Sequence, residues 1–224
     1  MRPFLVLALV LLTAGCGEAV TPTGPPVPGV AATAPGPESA EARKAGEARE
    51  VVVPRAASGH YEVVGGSAAA RRGPGRAVRY LVEVERGLPF DGRAFAAQVH
   101  RTLNDPRGWT RFRRVSRPPV RVRVALSSPA TTDRRCRPLR TGGHLSCWNG
   151  TRSVINALRW ARGVPQYGGD LAAYRRYLIS HEVGHALGHR HRPCPGPGRL
   201  APVMAQQTKS LGRCRPNPWP HPER

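Results

Sequence analysis

The stretch His181-Glu182-Val183-Gly184-His185-Ala186-Leu187-Gly188-His189-Arg190-His191 decides how the chain is read. It ends a segment that starts at Asp170, an N-cap residue, and runs helically from Leu171 to about Leu187. Along it Leu171, Tyr174, Leu178, His181 and His185 recur at three- and four-residue steps, and Ile179, Val183 and Ala186 form a second apolar stripe. A helix apolar on two sides is expected inside a domain. Two histidines four apart stand one turn above each other, so their imidazoles can converge on one ion. A catalytic zinc needs a third protein ligand and an open position for water. Gly188 allows the chain to leave the helix in a left-handed conformation. That turn returns His191 as the third ligand. His189 could compete, but only if the helix continued through Gly188. Glu182, next to the first ligand, points beside the ion and is the candidate general base.

The spacing HExxHxxGxxH resembles that of the metzincin zinc peptidases. The resemblance implies one catalytic zinc ion held by His181, His185 and His191. It also implies a turn with a supporting methionine beneath the ion, and Met204 in Ala201-Pro202-Val203-Met204 is the expected residue. Some metzincins carry a tyrosine two residues after that methionine. Here the position is Gln206, so no tyrosine role is carried over. Ser128–Cys136 (SPATTDRRC), Gly168–Tyr177, His181–His189, Pro193–Gly198 and Cys214–Pro220 are also similar to a family of secreted actinobacterial domains of unknown function. This likeness implies a minimal metzincin-like fold with a peptidase-like site, and supplies no substrate.

Upstream, Tyr61–Val64 reads as a short strand and Ala77–Val84 as a strong one. Asp91 caps a helix carrying Phe95, Val99 and Leu103. Arg111–Val115 and Val120–Leu126 follow as strands, the second (VRVRVAL) with one face expected in solvent. Residues 128–150 look loop-like, Arg152–Asn156 a short strand, Leu158–Arg162 a turn of helix and Val164–Gly169 a loop. The expected fold class is α+β, a zincin-type twisted mixed sheet over a buried active-site helix. The cleft is expected between the sheet's edge strand and the zinc, with an irregular C-terminal part beyond.

The N-terminus reads as a secretory signal. Met1-Arg2 precedes an apolar run, Phe4–Leu12, too short to span a bilayer, and Thr13-Ala14-Gly15-Cys16 follows. The ending resembles a bacterial lipoprotein signal over residues 1–16, with Cys16 lipidated, although Thr13 stands where an aliphatic residue is usual. Residues 17–57, rich in Pro, Ala and Gly, read as a disordered tether, with a propeptide as the other use. Residues 58–224 form the peptidase domain. This places the protein outside the cytoplasm, on the bacterial cell membrane through a lipid anchor, as a monomer. Without Cys16 four cysteines remain, which allow three pairings. Cys136–Cys147 and Cys194–Cys214 are favoured because each closes a short polar or Gly/Pro-rich loop. A cysteine zinc site is the rival, but no spacing is C-x-x-C.

The net charge is +21, and the excess lies after residue 57. A basic surface attracts anionic partners, envelope polymers among them. No motif for specific nucleic-acid recognition accompanies it. The expected activity is zinc-dependent hydrolysis of peptide bonds in a peptide or protein substrate. Two other classes are a zinc amidase acting on cell-wall peptide and a non-catalytic basic envelope lipoprotein that binds anionic polymers.

Overall fold

The computed structural model describes residues 51–223. The leader, Cys16 and the first part of the expected tether lie outside the described residues. Val51–Ala57, read above as the end of the tether, belongs instead to the folded body. Val53 packs against the main core, the Arg55 carbonyl accepts from Ala130 N (2.8 Å), and Ala57 N donates to Ser128 Oγ (3.2 Å). The tether was drawn by composition. The apolar run Val51–Val53 within it is where that composition changes.

The elements are β1 (Tyr61–Val63), β2 (Val78–Glu85), α1 (Gly92–Leu103), β3 (Phe112–Arg114), β4 (Val122–Ser127), α2 (Pro129–Arg135), β5 (Cys147–Trp148), β6 (Ser153–Asn156), α3 (Ala157–Arg162), a 3-10 turn (Pro165–Tyr167) and α4 (Leu171–Ala186). They form a mixed α+β body around one six-stranded twisted sheet of order β1-β2-β4-β6-β5. β2, β4 and β6 run parallel, and β1 and β5 are antiparallel to their neighbours. β3 lies parallel to Val78–Tyr80, on the same edge of β2 that pairs with β1 further along. β5 is thus the far edge.

Asp91 caps α1 as its sequence implies, its carboxylate accepting from Arg93 N and Ala94 N. Phe95, Val99 and Leu103 then face inward, each fully buried side chain contributing about 1.5–3 kcal/mol. They meet Tyr80, Val82, Val124, Leu126 and Ile155 of the sheet and Tyr174, Leu178 and Ile179 of α4 in one core.

Two expectations are corrected here. Residues 129–135, expected to be loop, form helix α2. It starts with Pro129 at its first position, and its buried Thr131 and Thr132 donate their hydroxyls to Glu85 and to the Ser128 carbonyl. The face of β4 expected in solvent is largely covered. Ala125 and Ser127 are fully buried, and Arg123 is held by Glu83, which also binds Arg152 (2.8 and 2.6 Å). Of the alternating arginines, Arg121 is exposed as expected, and Arg123 belongs to an ion-pair cluster on Glu83.

Both expected disulfides form, Cys136–Cys147 and Cys194–Cys214. Loops of 11 and 20 residues correspond to about 3 kcal/mol of unfolded-state restriction each. No helix among the described residues is long and apolar enough to cross a membrane.

Candidate metal centre

α4 runs through the core, with Tyr174 and every residue from Tyr177 to Gly184 buried. Asp170 caps it, accepting from Ala173 N (2.8 Å). The helix ends at Ala186, and Gly188 takes φ +98°, the left-handed turn that the sequence requires of it. The chain then folds back. His181, His185 and His191 present ligating atoms that all lie within 4.8 Å of one another. His185 Nε2 and His191 Nε2 are 3.0 Å apart.

The ring orientations are fixed from outside. His181 Nδ1 is 2.8 Å from the Val203 carbonyl, and His185 Nδ1 is 2.9 Å from the His189 carbonyl. A carbonyl only accepts, so both Nδ1 atoms carry hydrogen, and both Nε2 lone pairs are left for the shared centre. Outer contacts of this kind orient metal-ligating imidazoles. Burial holds all three rings below the ordinary histidine range, His181 down to about 3, so the rings are neutral and able to donate. His189 is not part of the cluster. Its ring stacks on Trp109 at 4.0 Å, and only its carbonyl serves the site.

Glu182 is 4% exposed, and its Oε2 is buried with no hydrogen-bond partner. Burial pushes its carboxyl up to about 8. A cation beside it would act in the opposite direction. Three imidazole nitrogens at one point are donor chemistry that a zinc ion takes, with metal–nitrogen bonds of about 2 Å, and Glu182 lines the same cavity. The residues present therefore fit the ion. They border a cavity of ≈ 190 Å³ between the edge strand β5 and the histidines, with walls that include Leu139, Leu145, Trp148, Tyr177 and Lys209. The cleft lies where the sequence reading expected it.

Met204 sits in a tight turn closed by Ala205 N to the Pro202 carbonyl (2.8 Å). It is 2% exposed, and its sulfur packs so close to Gly184 that a Cβ there would lie 2.6 Å from it. The same turn supplies the Val203 carbonyl to His181, and the Met204 carbonyl accepts from Arg192 N (3.1 Å). One short segment thus steadies both the first ligand and the chain beside the third.

Sequence reasoning missed Tyr177 and Gln207. Tyr177 Oη donates to the Ala205 carbonyl (3.0 Å) and accepts from Gln207 N (2.9 Å), while its ring lies 5.3 Å from that of His181. Gln207, fully buried, takes Tyr167 Oη and Asn217 N on its oxygen and donates to the Pro202 and Asn217 carbonyls. It locks the methionine turn to the C-terminal segment. Nothing local marks either residue, because their partners are distant in sequence. Tyr167 and Tyr174 lie within a buried tyrosine cluster, and neither lines the cleft.

No curated protein and no solved structure matches the chain. A family model does match, over residues 49–222, which takes in the sheet, α4, the three histidines and the methionine turn. The chain belongs to the family described as Protein of unknown function (DUF3152).

Proposed function

We propose that the protein is a zinc-dependent metallopeptidase of metzincin type, acting outside the cytoplasm and tethered through Cys16. The observation that carries this reading is the meeting of three neutral imidazoles around one point, open to a cleft that Glu182, with one buried and unpartnered carboxylate oxygen, also lines. His181, His185 and His191 would hold the ion. Zinc, when bound, supplies a Lewis acid that polarises the substrate carbonyl and acidifies water.

The chain's own groups carry the remaining steps. Glu182 Oε2 takes the proton from the attacking water and delivers it to the leaving amine nitrogen. Glu182 has to be ionised to take that proton, and a cation held by the three histidines would favour this form against the burial that raises the carboxyl. The Val203 and His189 carbonyls keep the first two imidazoles in one tautomer throughout. Leu139, Leu145 and Trp148 offer an apolar wall to a peptide side chain, and the disulfide-closed segment 136–147 holds that wall in place.

The test is Glu182→Gln in the full chain. Zinc content measured by mass spectrometry should stay at the parental level, while cleavage of a peptide library falls to background. Undiminished cleavage in that variant removes Glu182 from the chemistry. Failure of the parent to take up zinc removes the metal reading altogether. Cleavage of purified wall peptide but of no library peptide makes the enzyme an amidase with the same groups in the same roles.

A further inference from the structure

At the end of the sheet formed by β1 and β3, remote in sheet order from β5, lies a second concavity of ≈ 650 Å³. It shares no lining residue with the metal cleft. One wall is the outer face of α1, the other the segment after β1 together with β3. Its floor is small and apolar, made of Gly65, Gly66, Ala68, Ala96 and Ala97. Every titratable group on its walls is basic: Arg93, His100, Arg101 and Arg114.

No acidic side chain lines the hollow with them. None of the three arginines makes an ion pair among the described residues. α1 contains no acidic residue, and Asp91, which precedes it, is committed to backbone amides at the cap. Arg93 stands in the first turn, where the helix dipole disfavours a cation, and Arg101 in the last, where it favours one. Arg114 donates to the Gly65 carbonyl (3.0 Å), while its Nε is buried without a partner. Gly66 gives room for that guanidinium, since a Cβ there would lie 2.9 Å from it. His100 serves as a fixed support, its Nδ1 paired with Tyr80 Oη at 2.9 Å.

We propose that this concavity is a binding site for an extended, phosphate-bearing anionic polymer. Arg93 and Arg101 lie eight residues apart on one helix, about 12 Å along its axis, so a single small anion cannot span them. Arg114 approaches from the opposite wall. A repeating chain of anionic groups satisfies all three, and its backbone runs over the small apolar floor. A lipid surface fits less well, because the cations line a hollow and not a flat or convex face. The site is independent of the zinc reading and would hold the protein against its surroundings while the cleft stays free.

The probe is a short-chain inorganic polyphosphate, titrated calorimetrically into the full-length protein and compared with orthophosphate at equal phosphate concentration. Saturable binding of the polymer, and much weaker binding of orthophosphate, is expected. The double variant R93Q/R101Q removes two exposed, unpaired charges and should weaken binding about tenfold, the order expected of two exposed charge pairs. The matched control R199Q/R213Q, at exposed positions elsewhere, should stay within about twofold of the parent. Equal weakening in both doubles reduces the effect to bulk charge and overturns the site. So does the absence of saturable binding. A preference for phosphatidylglycerol vesicles over polyphosphate overturns the polymer assignment and gives the hollow to the membrane. A zinc chelator should leave the titration unchanged.

Discussion

Gly184 sits between the two helical histidines, and replacing it by alanine tests how the metal centre is braced. In an unconstrained helix the change stabilises by about 1 kcal/mol. Here the added Cβ meets Met204 Sδ at 2.6 Å and the Trp109 ring at 2.9 and 3.2 Å. Overpacking of this kind costs about 1–3 kcal/mol, and the indole resists movement because its Nε1 is bonded to the Ser180 carbonyl. With two braced neighbours the cost falls at the upper end of that range, about 2–3 kcal/mol, so the net expectation is a loss of about 1–2 kcal/mol, or roughly 2–8 °C in Tm for a body of this size. Zinc affinity should fall as well, because Val203, next to the displaced methionine, holds His181. Thermal unfolding with and without chelator, together with competition against a chromophoric chelator, reads both effects. Adding Met204→Ala should make the double variant more stable than the sum of the two single losses, by about 1 kcal/mol or more. A Gly184→Ala protein with parental or higher Tm and parental zinc affinity would refute the bracing argument.

Four other outcomes are expected. His191→Ala should lose stoichiometric zinc, whereas His189→Ala should keep it, since only the His189 carbonyl touches the site; metal analysis after dialysis separates the two. Gln207→Ala should destabilise by on the order of 3 kcal/mol, because four hydrogen-bonding groups, three of them in buried bonds, lose their partner at once, and denaturant titration measures this. The pair C136S/C147S should lower stability by about 3 kcal/mol and raise KM more than it lowers kcat, because the opened loop carries Leu139 and Leu145 while the histidines stand elsewhere. Dialysis against a strong chelator should lower Tm, and added zinc should restore it in proportion to the logarithm of its free concentration.

The site was legible because its parts are close in sequence. Helical spacing puts His181 and His185 on one face, Gly188 announces the bend, and His191 follows within one turn of chain. The main strands and α1 were legible for a related reason, since an apolar alternation or stripe is a local record of burial. What escaped depended on distant partners. α2 carries no apolar period; its threonines are buried because Glu85, on β2, accepts from Ser128 N, Ser128 Oγ, Thr131 Oγ1 and Gly59 N. Arg123 of β4 looked solvent-facing because Glu83, shared with Arg152, meets it only in the folded sheet. Tyr177 and Gln207 brace the centre through hydrogen bonds spanning tens of residues, which no periodicity encodes.

On the zinc reading proposed above, the two carbonyl tethers on His181 and His185 would divide the labour of metal capture unevenly. Those rings already present the correct nitrogen, and so lose little freedom when a cation arrives. The ordering cost therefore falls on His191, which is exposed and reached through a bend. Substitutions within α4 should change how well the preset pair grips, whereas substitutions from Gly188 to Pro193 should change how often the third ring is in place, and affinity scales with that fraction. The length and stiffness of that short connector would thus, on that reading, form a dial for metal retention that can be turned without touching any ligand.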